Sequence, residues 1–232
     1  MHHMLEFLAT LSETRLWLIF LAENLTVTAI ALFAGWLTLK LCIKSAAWPS
    51  RAEFGICIIT NLVNTIITYL GFRLWDYGFI IFRFDFSWTI LPHFLLLFIG
   101  MDFLMYVFHY FIHHSVFYKP IHRFHHQYEH PTPIDLFVLH PLETVSFGAL
   151  WLILLIVYSF NIYAVAVYLT VNVAFGIAGH LGTEPLPAKY RSNALLKFIG
   201  TSSFHHDHHA DINYNFGFYT SIWDRLFGTF KP

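Results

Sequence analysis

Two five-residue segments of this 232-residue chain repeat one arrangement of imidazoles: His122-Arg-Phe-His125-His126 and His205-His-Asp-His208-His209. The first, fourth and fifth positions are i, i+3 and i+4, one face of a helix, a spacing that predicts three ring nitrogens aimed together. With sixteen histidines in the chain, such a pattern is expected fewer than about 0.1 times by chance, and it occurs twice. His109 and His113, four apart, add a further pair on one helix face. Imidazole suits iron, zinc, copper and nickel. Together with His180 the set numbers nine, more than the four ligands that close a structural zinc site, which points to two metal ions. Each ion would take four or five nitrogens and keep positions open for dioxygen or substrate. Neutral imidazoles leave such a pair strongly positive, so Glu129, Asp135, Glu143, Glu184, Asp207 and Asp211 are candidates for orienting the rings or balancing charge. His93, His114, His130 and His206 read as structural, His2 and His3 as part of a mobile terminus, and His140, before Pro141, is left open as a ligand.

The elements that carry these residues lie in a membrane. Apolar residues make up 57% of the chain and charged residues only 12%, against about 25% charged in a soluble domain. A net charge of −1 supplies no footprint for nucleic acid, and Cys42 and Cys57 cannot build a disulfide framework. The sequence predicts an interfacial amphipathic helix over 5–24, interrupted by Glu6, Glu13, Arg15 and Glu23, and spans over Leu25–Ile43, Phe54–Phe72 and from Trp88 to Phe111. From Thr144 to Thr183 there is no Asp, Glu, Lys or Arg, and forty residues of helix are about twice the hydrocarbon thickness. A hairpin with its tip near Ser159–Asn161 resolves this and returns His180 to the membrane face of His140 and Glu143. Residues 184–232 then form a cap. Basic segments at Lys40–Arg51, Lys119–Arg123 and Lys189–Lys197 fall on one side, which predicts a cytoplasmic site. The expected fold is an all-α bundle of about four transmembrane helices with a cytosolic helical cap, residues 1–87 holding the interfacial helix and two spans and residues 88–232 the catalytic part.

From about residue 88 to 230 the chain resembles the fatty acid hydroxylase and sterol desaturase superfamily of integral-membrane di-iron enzymes. The resemblance rests on Asp102-x3-Tyr106-x2-His109-x3-His113, on Tyr118-Lys-x-x-His122-x-x-His125-His126, and on Pro131-Thr-Pro133 leading to His140-Pro-Leu-Glu143. It continues through His180-Leu-Gly-Thr-Glu-Pro, His205-x-x-His208-His209, Asn213-Tyr-Asn-Phe-Gly217 and Trp223-Asp-Arg-Leu-Phe-Gly228-Thr, the last closest to sterol C5-desaturases. The resemblance implies that His109, His113, His122, His125, His126, His180, His205, His208 and His209 ligate two irons, for which zinc can substitute according to availability. It also implies an oxidoreductase that uses dioxygen to hydroxylate or desaturate a C–H bond of a sterol or fatty-acyl lipid. Electrons would come from an external donor such as cytochrome b5 or a ferredoxin system, because no cysteine cluster, dinucleotide loop or haem domain is present. The expected home is a bacterial inner membrane or the endoplasmic reticulum. The other function class to weigh is a histidine-rich metal-ion transporter or a haem-binding membrane protein, but transporter sites lie near the bilayer midplane and haem needs only one or two axial ligands.

Overall fold

The computed structural model describes residues 1–43, 49–127, 131–185, 187, 190, 193 and 196–231. Among them the architecture is helical, with α1 at His2–Ala9, α2 at Glu13–Ile43, α3 at Arg51–Asp76 and α4 at Ile90–His113. α5 (Pro141–Val157) and α6 (Ile162–Gly179) follow, then two short helices, α7 (Ser202–Ala210) and α8 (Ile222–Phe227). α2, α3, α4 and α6 are long and apolar enough to cross a membrane. Helices suit that setting because every backbone donor and acceptor is satisfied within the segment.

The N-terminal expectation needs correction. The chain breaks at residues 10–12, so the helix expected over 5–24 is divided: α1 ends at Ala9, and the first helix long and apolar enough to span starts at Glu13 rather than Leu25. The reason is visible at the other end of α3. Tyr69 donates to Glu13, and Arg73 lies 3.6 Å from the same carboxylate, so an acidic residue that looked incompatible with a span is neutralised at its edge. Leu16 and Phe20 then pack on Phe72. Deeper in the pair, Thr28 donates to Asn61 at 2.8 Å and Asn24 to Thr68 at 3.3 Å, polar contacts of the kind that bind helices where lipid supplies no hydrophobic drive. α3 begins on a capping box: the Ser50 hydroxyl accepts from the Glu53 amide and the Glu53 carboxylate from the Ser50 amide.

The uncharged stretch folds as the expected hairpin. α5 and α6 span about 25–27 Å each, and the chain reverses over Tyr158–Asn161. Asn161 caps α6 by accepting from the Tyr163 amide, while its own amide donates to His93 Nδ1 at 2.8 Å and its side chain to the Asp85 carbonyl at 2.7 Å. His93 thus ties the hairpin tip to the start of α4. The largest core cluster joins α4 (Leu97, Met101, Met105), α5 (Leu152, Leu155) and α6 (Ala164, Val165, Tyr168). A second core joins Ala31, Leu39 and Cys57 to Ile134, Phe137, Val138 and Ile177, which seats the connection between α4 and α5 on the bundle.

α5 approaches α3 closely at Gly148, where an added Cβ would lie 2.4 Å from Ile67 Cδ1, whereas around Gly55 nothing stands within 4 Å. Gly148→Ala should therefore cost about 1–3 kcal/mol and lower the unfolding temperature in detergent by several degrees, while Gly55→Ala should leave it unchanged or higher.

Candidate metal centre

The histidines gather where the C-terminal end of α4, the return from α6, and α7 meet. His109 and His113 stand one turn apart in the last turns of α4, and His180 directly follows α6. Both helices therefore direct their negative dipole ends at the cluster, which favours a cation. His122 closes a π turn at Tyr118–His122, His125 and His126 open the 3-10 turn that follows, and His205, His208 and His209 ride on α7.

All nine sequence-predicted histidines come together, in two adjoining nests. One holds His109, His113, His122, His126 and His208, and the other His125, His180, His205 and His209; within each, one nitrogen per ring lies within 4.8 Å of all the others. The nests touch, with the His126 and His209 rings 4.6 Å apart. One expectation is corrected here. The three histidines of each five-residue motif do not aim at a common point. The i, i+4 pair His122/His126 enters the first nest and His125 the second, whereas the pair His205/His209 enters the second and His208 the first. The 122–126 segment is a π turn followed by a 3-10 turn and the 205–209 segment a regular α-helix, so the division does not depend on backbone type: in both, the i+3 ring stands far enough around from the i, i+4 pair to reach the neighbouring nest.

Hydrogen bonds on the far nitrogens fix which way the lone pairs point. His109 Nδ1–H donates to the Phe216 carbonyl at 2.8 Å, His208 Nδ1–H to the Tyr214 carbonyl at 2.7 Å, and His180 Nδ1–H to the Gly176 carbonyl at 2.8 Å. His122 Nδ1–H donates to Glu143 at 2.7 Å. Each of these rings, when neutral, turns an unprotonated Nε2 inward. His109 Nε2 nevertheless lies 3.0 Å from His122 Nε2, and His208 Nε2 is buried with no hydrogen-bond partner among the described residues. Three further Nε2–Nε2 approaches in the first nest are 3.1–3.2 Å, and two in the second are 3.1 and 3.3 Å. Around a cation with bonds of about 2.1 Å, neighbouring nitrogens lie about 3.0–3.4 Å apart, so the spacing fits a shared ion.

Burial sets the charge state. It pushes His126 down to about 3, His180 to about 4 and His209 to about 2, and it holds His122, His125, His205 and His208 well below the ordinary imidazole range, with the neighbouring imidazoles adding to the effect on all but His180. At neutral pH these rings are uncharged, the form that binds metal. Phe216, fully buried, packs 5.3–5.8 Å from His109, His113 and His208 and walls the first nest with carbon.

Of the acidic candidates, Glu143 is bonded to one of the nine, His122. Asp135 caps the turn at Pro133–Phe137 through the Thr132 amide at 2.7 Å, and burial raises its carboxyl to about 6. Glu184 accepts from Ser203 at the start of α7, Asp211 pairs with Lys231 at 2.8 Å, and Asp207 is exposed. Glu129 and His130 lie outside the described residues. His140 caps α5 by accepting from the Leu142 amide, His114 is bonded to the Tyr110 carbonyl, and neither they nor His93 and His206 join a nest. His2 and His3 stand exposed beside Glu6, at the opposite end of the bundle.

Sequence reasoning missed how the rings are aimed. Two buried carboxylates hold the segment that supplies the Tyr214 and Phe216 carbonyls. Asp224 accepts from the amides of Phe216 and Gly217, both at 2.8 Å, and from the Thr229 hydroxyl at 2.7 Å. Asp102, in the middle of α4, accepts from the Tyr219 amide, the Thr220 amide and hydroxyl, and the Trp223 indole. An ionisable residue at mid-span was the available signal for Asp102, since such residues are retained only when paired or functional.

The sequence model for the fatty acid hydroxylase family matches residues 94–229. A lathosterol oxidase of Rattus norvegicus is 35% identical over 135 residues, 56% of this chain and 42% of that protein. A Delta(7)-sterol 5(6)-desaturase of Leptosphaeria maculans is 31% identical over 56% of this chain and 34% of its own length, and a methylsterol monooxygenase 1 of Gallus gallus 28% identical over 80% and 64%. The chain thus spans less than two thirds of each relative. No solved structure matches it. The matched stretch runs through both nests, Glu143 and the two carboxylates that hold the C-terminal segment, and the chain belongs to the fatty acid hydroxylase family.

Proposed function

We propose that the nine histidines hold two iron ions and that the protein hydroxylates or desaturates a C–H bond of a sterol or fatty-acyl lipid, using dioxygen and electrons from an external donor such as cytochrome b5 or a ferredoxin system. The observation that carries this reading is the pair of inward-facing Nε2 atoms of His109 and His122, 3.0 Å apart, each with its only proton committed to an acceptor on the far side. Two lone pairs at that distance repel unless a cation lies among the nitrogens of their shared nest. The donor set, all neutral nitrogen and without thiolate, fits iron, and zinc can occupy the same sites. When bound, the metal pair supplies dioxygen reduction and the power to break an unactivated C–H bond.

The chain's own residues do the rest. The Phe216, Tyr214 and Gly176 carbonyls and Glu143 hold four rings in the tautomer that ligates. Burial of seven of the nine histidines excludes water from the reacting space. An apolar cleft of about 210 Å³ beside the His122–His126 segment, lined by Ile56, Ile59, Phe124, Leu139, His140 and Pro141, offers a lipid chain an approach from the bilayer side. The names of the relatives support a sterol or related lipid as substrate, and the family match over 94–229 supports residues 88–232 as the catalytic part. Orientation is read from charge: among the described residues, Lys40, Arg51, Lys119, Arg123, Lys197, Arg225 and Lys231 lie at the histidine end, against Arg15, Arg73 and Arg83 at the other. That asymmetry supports a cytoplasmic metal centre.

Lipids extracted from cells expressing the wild type should contain an oxidised species that is absent from cells expressing His125→Ala, read by mass spectrometry; identical lipid profiles would count against the reading. Purified His208→Ala should carry less metal per folded chain, and Glu143→Ala should weaken metal binding about 10–100-fold in a competition titration. The metal-free protein should also be acid-sensitive. Its buried imidazoles take up protons far below the unfolded value near 6.5, so the unfolded chain binds protons first and stability falls as pH drops from about 7 toward 4. A melting temperature in detergent that stays flat between pH 7.5 and 5 after chelation would contradict this.

A further inference from the structure

Glu23 lies in the span of α2 and takes no part in the metal centre. The contacts Thr28–Asn61 and Asn24–Thr68 set the register of α2 against α3, and they place the middle of α3 level with about residue 27 of α2. Glu23 is thus about 6 Å along the axis from mid-depth, well inside a hydrocarbon slab about 30 Å thick. Its side chain is exposed, and it has no hydrogen-bond or ion-pair partner among the described residues. Lipid tails offer it none either. Carboxyl groups at such depth are retained where another protein group satisfies them.

The surface around it suits a second helix. Ile19, Glu23, Thr26, Ile30, Phe33 and Leu37 follow one another at spacings of four and three and are all exposed, whereas Phe20, Thr28, Ala31 and Leu39 face the protein's own core. This is the pattern of a left-handed helix pair with a polar position in its seam, the device that fixes register. Apart from Glu23 and Thr26 the seam is carbon, and it carries no cation to meet a charged partner. A neutral carboxylic acid both donates and accepts, so it is complementary to itself, and across a two-fold axis each residue meets its own copy.

We propose that the protein forms a two-fold dimer in the membrane through α2, in which the Glu23 carboxyl is satisfied by the same carboxyl of a second copy. The inference stands apart from the metal chemistry. The full chain carrying Cys42→Ser should be reconstituted in phosphatidylcholine vesicles, with Ile30→Cys in the seam or, as a control, Leu62→Cys on the exposed side of α3. Oxidation should link Ile30→Cys into dimers and leave Leu62→Cys monomeric. Adding Glu23→Ala should reduce cross-linking at least about threefold, the effect of losing an interhelical hydrogen bond in a bilayer, while Glu23→Gln, whose amide is also self-complementary, should retain it. Circular dichroism verifies that each variant keeps its helices. Equal cross-linking at both positions, none at Ile30→Cys in helical protein, or no effect of Glu23→Ala would overturn the dimer. So would cross-linking in native membranes solely to a different protein.

Discussion

Neutral imidazoles do not gather of their own accord. A ring with one nitrogen committed outward has only a lone pair to offer inward, and bringing several such lone pairs to within 3.0–3.3 Å in a water-poor space is uphill unless positive charge resides among them. The fold around the nests can be understood as the means of holding that arrangement: rings supported from behind, helix ends aimed at it, and water kept out. Among the described residues no Lys or Arg is buried there, so on the proposed function the compensation comes from bound metal.

The support is built from the last segment of the chain. Asp102 draws Tyr219–Trp223 against α4 from within the membrane, and Asp224 gathers the Phe216 and Gly217 amides and Thr229 into a tight loop. Gly217 belongs to this constraint, since a Cβ there would stand 2.2 Å from the Thr220 carbonyl oxygen and 2.7 Å from Asp224. The carbonyls that this loop presents at Tyr214 and Phe216 are what aim His208 and His109. Two carboxylates that touch no histidine thereby govern the geometry of two of them.

Much of this was legible in the residues. The forty uncharged positions demanded a hairpin, the hairpin demanded that His180 come back to the others, the repeated spacing singled out six more, and the i, i+4 pair His109 and His113 completed the set. What the sequence concealed was the division of labour. A helical wheel puts positions i, i+3 and i+4 on one face, but a face about 100° wide is broad enough to address two neighbouring ions, and the i+3 ring serves a different nest from its companions in both motifs. The pairing is crossed, each motif giving two rings to one nest and one to the other, so neither nest can form without both. The backbone carbonyls were invisible for a different reason: any residue has one, and only tertiary structure decides where it points. The misplaced start of α2 has the same origin, since Glu13 becomes compatible with a span only once Tyr69 and Arg73 stand beside it.

The crossed arrangement has a consequence for biogenesis. A ribosome delivers His109 to His126 some eighty residues before His205 to His209, with the α5–α6 hairpin between them. The early rings are thus synthesised before the late ones and before the loop that aims them. On the proposed function, a metal that needs both nests complete is therefore loaded after the spans are inserted, into a polypeptide already seated in its bilayer.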